Sequence, residues 1–141
     1  RKYPTVQLLL ELQRASIARF GAEHVVDTVL ATVKSFRERV IILSTDLPAI
    51  YRARNRHGVP IGWRVEALDT HVQLKIQALA PERMVCDYRA LPKSGRPTRG
   101  PWQWIALGID RPSDLQRLAG SGVSYFATPA PGRFRELLQP D

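Results

Sequence analysis

The chain has 141 residues and a formal net charge of +8, with 44% hydrophobic and 24% charged residues. Length and composition indicate one globular domain over residues 1–141 and exclude a disordered chain, a collagen, a disulfide scaffold and a transmembrane helix. The positive charge comes from 17 arginines and four lysines spread along the whole chain, so we expect solvated charges and no nucleic-acid partner.

Apolar spacing alternates between strand-like and helix-like segments along the chain. It predicts strands at 6–12, 40–45, 60–65, 83–88, 102–109 and 123–128, and helices at 21–36, 48–57, 70–79, 111–118 and 133–138. Residues 90–101 are rich in proline, glycine and basic side chains and are predicted to form a long loop. Strands that alternate with helices in this way indicate parallel pairing with helical crossovers.

Six such strand–helix units are compatible with two α/β architectures. One is a doubly wound sheet, and the other is a partial TIM-type (β/α) barrel with about six of its eight units. A doubly wound nucleotide site usually has a glycine-rich turn after an early strand, and no such turn is present in the sequence. A complete barrel needs about 250 residues. The length of this chain therefore suits only part of one.

In both architectures, chemistry belongs at the carboxyl ends of the strands. Glu11 stands out there, because a carboxylate that ends an apolar strand needs a metal ion or another cation beside it. The simpler interpretation is an arginine partner such as Arg14. After the second strand, Ser44 lacks the motif of a nucleophile, and Thr45 or Asp46 is expected to cap the following helix.

The remaining reactive side chains do not form a catalytic set. The three histidines fall on predicted helices, away from the strand ends, and are poor candidates for acid–base catalysis. Cys86, the single cysteine, is expected to be an ordinary buried residue, and it gives no reason to place the protein in an oxidising compartment. We therefore expect a cytoplasmic protein. Because the chain starts at Arg1 without an initiator methionine, we also expect it to be part of a longer protein.

Three segments resemble the glycerophosphodiester phosphodiesterase family. They are Leu8-Leu-Leu-Glu11-Leu-Gln13, then Arg39-Val-Ile-Ile-Leu-Ser44-Thr45-Asp46, and a closing stretch from Ile109-Asp110-Arg111-Pro112 to Gly122-Val123-Ser-Tyr-Phe-Ala-Thr128-Pro129. The resemblance implies a barrel of the phospholipase-C-like phosphodiesterase type. It also implies hydrolysis of glycerophosphodiesters to glycerol 3-phosphate and an alcohol with a divalent cation, Ca²⁺ or Mg²⁺.

The resemblance begins at the third strand of the family's barrel and assigns few site residues. It implies that Glu11 is a metal ligand, and that Gln13, Arg14, Ser44 and Leu107 contact the substrate. The family's lysine after the glutamate is Gln13 here, and a neutral amide brings no charge to a phosphoryl group. The family's strand-seven Trp-Thr-Val-Asn is Leu107-Gly-Ile-Asp110.

The first two units of the family's barrel, which carry its His-Arg pair, its Glu-x-Asp metal pair and a later histidine, have no counterpart in this chain. We therefore expect the chain alone to be inactive. We also expect its open strand edges to pair with the missing part of the barrel or with a second copy. The alternative is a divergent, non-catalytic barrel that serves as a binding or scaffold module. A basic binder of nucleic acid or anionic membranes, suggested only by net charge, ranks last.

Overall fold

The structure is a computed structural model that describes residues 5–93 and 96–135. The chain forms two compact units, Arg1–Arg64 and Val65–Asp141. Each unit contains three parallel strands and at least two α-helices, so both have the α/β organisation predicted from the alternating periodicity. Within the described ranges, no helix is both long and apolar enough to cross a membrane.

In the first unit, β2 lies between β1 and β3 and pairs with both in parallel. All five residues of β2 are buried, because neighbours cover both edges and both faces of this strand. The elements of this unit are β1 (Leu8–Glu11), α1 (Arg14–Phe20), α2 (Ala22–Thr32), a 3₁₀ helix (Lys34–Arg39), β2 (Val40–Ser44), α3 (Leu47–His57) and β3 (Ile61–Arg64).

Helix α3 begins and ends where the local chemistry of the sequence predicts. The side chain of Asp46 accepts a hydrogen bond from the Ala49 N–H at 2.9 Å, which satisfies one of the free donors of the first turn. Pro48 occupies the first turn, and Gly58 closes the helix with a φ of 66°, a conformation that favours glycine. Of the two residues predicted as the cap, it is therefore Asp46 that caps the helix.

In the second unit, β5 lies between β4 and β6, again in parallel, with a register shift between Trp104 and Ile105. Two indole N–H groups fix the connection to β5, since Trp102 and Trp104 both donate to the Thr98 carbonyl, at 3.0 and 2.9 Å. The elements are α4 (Thr70–Leu79), β4 (Arg83–Asp87), a 3₁₀ turn (Tyr88–Ala90), β5 (Gln103–Leu107), α5 (Pro112–Ala119), β6 (Val123–Phe126) and a 3₁₀ helix (Pro131–Phe134).

The predicted elements need two corrections in the first unit. The helix predicted over 21–36 ends at Thr32 and is followed by a 3₁₀ helix, and α1 was not predicted at all. Helix α1 buries none of its residues, so its sequence lacks the apolar periodicity that reveals a helix. Gly21, with a φ of 83°, separates it from α2.

At the other end of the chain, the helix predicted over 133–138 is replaced by the 3₁₀ helix Pro131–Phe134, and residues 136–138 lie outside the described residues. In the predicted loop 90–101, residues 91–93 and 96–101 contain neither helix nor strand. Ala90 belongs to the 3₁₀ turn that follows β4.

Candidate functional site

The carboxyl ends of β1, β2 and β3 form the candidate site of the first unit. Register places Glu11 beside Leu43, and Leu43 beside Gly62, so these residues share one face of the sheet. Ser44 pairs with Trp63 on the opposite face, because successive side chains of a strand alternate between faces. Side chains one residue apart along these strands therefore lie on opposite faces of the sheet.

Glu11 is bound by Arg64, the last residue of β3. The Arg64 guanidinium donates a short hydrogen bond to the Glu11 carboxylate, and the two side chains remain 40% and 32% exposed. Arg64 follows Gly62 by two residues and so projects from the same face as Glu11. Glu11 thus has an arginine partner, as the simpler interpretation expected, and this partner is Arg64.

Ser44 is fully buried at the end of β2. Its hydroxyl oxygen accepts a hydrogen bond from the Asp46 N–H at 3.0 Å, so the side chain stabilises the turn that leads into α3. The predicted contact between Ser44 and substrate stays a prediction. Any contact between the Ser44 hydroxyl and substrate would have to be made while the side chain is held in this turn.

Gln13 and Arg14 are exposed where the chain leaves β1 and enters α1. The Gln13 carbonyl accepts a hydrogen bond from the Ile17 N–H at 3.1 Å, and Arg14 is the first residue of the helix. Both side chains lie close in sequence to Glu11, at the carboxyl end of β1. Their predicted role in substrate binding also stays a prediction.

In the second unit, Asp87 and Leu107 end β4 and β5 and are register partners. Asp87 accepts three hydrogen bonds from Arg89, one from its N–H at 2.9 Å and two from its guanidinium at 2.8 and 2.9 Å. These bonds hold the pKa of Arg89 above its ordinary value. The Leu107 side chain has no polar group, so it can contact a ligand only through apolar surface.

Gly108 brings the backbone after β5 close to Asp87. Its φ is 80°, and a Cβ at this position would lie 3.1 Å from the Asp87 Oδ2. A side chain would therefore be strained and would press on the carboxylate. Glycine here leaves the Asp87–Arg89 pair undisturbed at the end of β4.

The described residues do not by themselves fit a divalent cation. Between residues 5 and 135, leaving out 94–95, no three histidine, cysteine or acidic side chains are grouped as metal ligands would be. A calcium ion takes six to eight oxygen ligands and a magnesium ion about six, whereas Glu11 is a single carboxylate already neutralised by Arg64. Further ligands would have to come from outside the described residues.

A second charged cluster lies on the helices of the first unit, away from the strand ends. Arg52 donates two hydrogen bonds to Asp27, at 2.9 and 2.7 Å, and the His57 Nε2 lies 2.6 Å from the same carboxylate. Together Arg52 and His57 hold the pKa of Asp27 well below its usual range. The cluster joins α2 to α3, and Arg37 adds a hydrogen bond to the His57 carbonyl at 2.6 Å.

Arg64 is the site residue that the sequence-based reasoning missed. The residue before it, Trp63, is buried on the opposite face. The available signal was the same as for Glu11, a charged side chain at the end of an apolar strand. Opposite charges at the carboxyl ends of two strands of the same unit predict an ion pair.

Solved structures show what this fold is similar to. A protein described as a glycerophosphoryl diester phosphodiesterase from Silicibacter pomeroyi matches 94% of this chain, with a TM-score of 0.76 and 16% identity. A phosphodiesterase from Oleispira antarctica, in complex with the product sn-glycerol-3-phosphate, matches 96% with a TM-score of 0.74 and 15% identity. A glycerophosphodiester phosphodiesterase from Parabacteroides distasonis matches 97% with a TM-score of 0.69 and 13% identity.

The chain spans 50%, 56% and 59% of the length of these three structures, in the same order. No family model and no curated protein matches the sequence. The α/β fold class is therefore confirmed as a partial TIM-type (β/α) barrel. At the level of the fold, the chain resembles glycerophosphodiester phosphodiesterases, as its strand-end motifs predicted.

Proposed function

We propose that this chain is the C-terminal six-unit part of a glycerophosphodiester phosphodiesterase-like protein. The complete protein would hydrolyse glycerophosphodiesters to glycerol 3-phosphate and an alcohol. The observation that carries the proposal is the fold match over at least 94% of the chain to three structures of such enzymes, one of them holding glycerol 3-phosphate. In TIM-type barrels the catalytic side chains lie at the carboxyl ends of the strands, and Glu11 and Arg64 occupy two such ends.

In the complete protein, Glu11 would contribute one ligand to a Ca²⁺ or Mg²⁺ ion, with the other ligands supplied from outside this chain. Such an ion, when bound, polarises the phosphoryl group and stabilises the charge that develops during hydrolysis. Binding would require Glu11 to turn from Arg64 toward the ion or to be shared between the two. Arg64 would then be free to donate hydrogen bonds to a phosphoryl oxygen, which suits the planar guanidinium.

A phosphate-binding role for Arg64 would compensate for the positive charge that is absent at Gln13. A phosphodiester carries a negative charge, and a neutral amide at position 13 does not offset it. Arg64 restores a cation on the face of the sheet that carries Glu11. In the first unit, Gln13 and Arg14 would contribute secondary contacts with substrate, and the predicted substrate contact of Leu107 belongs to the second unit. A cytoplasmic location is consistent with the buried, unpaired thiol of Cys86.

The proposal is tested by measuring release of glycerol 3-phosphate from glycerophosphocholine by this chain and by the longer protein that contains it. With Ca²⁺ or Mg²⁺ present, we expect release by the longer protein and none by the chain alone. The chain lacks a positioned acid–base pair at its described strand ends, since His24, His57 and His71 all belong to helices. Metal-dependent release by the chain alone would contradict the proposal.

A non-catalytic binding module is the second candidate, and the Glu11–Arg64 ion pair favours it. A carboxylate neutralised by arginine no longer needs a metal, and an arginine so placed can still bind a phosphate. This candidate predicts that the longer protein binds glycerol 3-phosphate without releasing it from diesters, with or without metal. Titration calorimetry beside the activity assay separates the two candidates.

The partners expected of the chain are part of the same proposal. Open strand edges attract further strands, so the chain would associate with the missing barrel units or with a second copy of itself. Light scattering of the purified chain tests this expectation. A stable monomer at high concentration would contradict it.

A further inference from the structure

We propose a second, anion-binding site in the second unit, formed by Lys93, Arg96 and Arg117 and distinct from the strand carboxyl ends. These three cations line one open hollow of about 400 Å³. The chemistry of the site suits a multiply charged phosphate group. Its volume is within the range of pockets that hold small molecules, which is roughly 300–1,000 Å³.

The place of the hollow in the fold separates it from the candidate site. Lys93 and Arg96 belong to the connection from β4 to β5, and Arg117 lies in the last turn of α5. Ser121, which also lines the hollow, stands two residues before β6 begins. The hollow is therefore at the amino end of β6, whereas Asp87 and Leu107 lie at carboxyl ends.

The described residues do not compensate the charges of the hollow. Within residues 5–93 and 96–135, no acidic side chain lines it and none of the three cations forms an ion pair or hydrogen bond. Elsewhere in this unit, Arg89 is paired with Asp87, and Arg111 with Asp114. Three unpaired like charges around one hollow repel each other, and an anion between them removes that repulsion.

Two contacts prepare the hollow for an anion. A Cβ at Gly122 would lie 3.6–3.7 Å from the Arg96 side chain, so the stem of Arg96 already lies against this glycine. The Leu118 carbonyl, which would repel an anion at the end of α5, accepts hydrogen bonds from the Ser121 N–H at 2.9 Å and the Ser121 hydroxyl at 2.6 Å. The dipole of α5 accounts for a cation at Arg117, but not for Lys93 and Arg96.

Calorimetric titration of the 141-residue chain with pyrophosphate tests the site. We expect saturable binding of one pyrophosphate per chain. Arg96→Gln and Arg117→Gln should each weaken it by at least about tenfold, because each removes charge-assisted hydrogen bonds. Arg56→Gln is the matched control, since Arg56 is an exposed arginine on α3 and its loss changes the net charge equally. It should change affinity by less than about twofold.

A second arm of the experiment distinguishes a free phosphate from a lipid headgroup. The same variants are mixed with phosphatidylcholine vesicles that contain or lack phosphatidic acid. Binding to the phosphatidic acid vesicles that is lost in Arg96→Gln and Arg117→Gln supports the site with a lipid source, and selective loss of pyrophosphate binding supports it with a soluble one. No saturable binding in either arm, or equal weakening by Arg56→Gln, would overturn the proposal.

Discussion

Glu11 and Arg64 end two strands that flank β2, and their side chains meet on one face of the sheet. The pair joins opposite charges that the sequence places 53 residues apart. Register explains the contact, because Glu11, Leu43, Gly62 and Arg64 all project from the same face. The carboxylate is therefore tolerated at the end of an apolar strand without a metal.

Replacing Glu11 by glutamine should change the stability of the 141-residue chain only slightly. About a third of each side chain is exposed, and pairs of this kind contribute between about 0 and 1 kcal/mol. Urea unfolding of Glu11→Gln, Arg64→Gln and the double variant measures the coupling between them. A coupling free energy well above 1 kcal/mol would contradict the description of a solvent-screened pair.

Asp27 should make stability dependent on pH in the acid range. Hydrogen bonds from Arg52 and His57 hold its folded-state pKa well below its value in the unfolded chain. Its contribution is therefore present above the unfolded pKa of about 3.9 and is lost as the pH falls toward the folded pKa. We expect the unfolding temperature to fall more between pH 5 and pH 2 in the original protein than in Asp27→Asn.

Glu23 provides the control for this measurement. It lies 3.5 Å from Arg52 but is 81% exposed, so Glu23→Gln should retain nearly the whole acid dependence of the original protein. If Asp27→Asn and the original protein lose stability in parallel on acidification, the Asp27 cluster is not responsible.

Truncation of Ile42 should be strongly destabilising. Ile42 is fully buried in β2, and removal of a large buried aliphatic side chain costs about 2–5 kcal/mol because of lost burial and the cavity left behind. Leu74→Ala is the matched control, since Leu74 on α4 is 73% exposed and its loss should cost less than about 0.5 kcal/mol. Similar unfolding midpoints for the two variants would contradict the assignment of β2 to the core.

The thiol of Cys86 should react slowly in the folded protein. Burial in β4, with a smaller effect of the Asp87 charge, raises its pKa to about 12, so little reactive thiolate is present at pH 8. A thiol reagent such as DTNB should label it at a rate that rises steeply when urea unfolds the chain. Rapid labelling without denaturant would show that β4 is open to solvent.

The parts of the fold that the sequence predicts best are those in which burial determines the pattern. Strand β2 and helix α4 are recovered almost residue for residue, because β2 is apolar throughout and the apolar side chains of α4 recur at helical spacing. Helix α1 is missed because nothing in it is buried. Its position is set by the neighbouring elements β1 and α2, and the spacing of apolar residues in the sequence does not reveal this.

The candidate site is predicted only in part, and for a geometric reason. Glu11 is recognisable because a charge at an apolar strand end is unusual, but its partner depends on which strands are neighbours and on their register. A shift of one residue would replace Arg64 by Trp63, and Leu43 by Ser44, on the face that carries Glu11. Sequence spacing alone cannot supply that register.

Glu11→Gln, made in the proposed longer protein, tests the proposed role of Glu11 as a metal ligand most directly. The substitution keeps the volume of the side chain and removes its charge. The measurement is the affinity for Ca²⁺ or Mg²⁺ together with the rate of glycerol 3-phosphate release. If Glu11 is a metal ligand, both should fall by at least about tenfold, corresponding to about 1.4 kcal/mol. Unchanged metal affinity and turnover in Glu11→Gln would contradict the account.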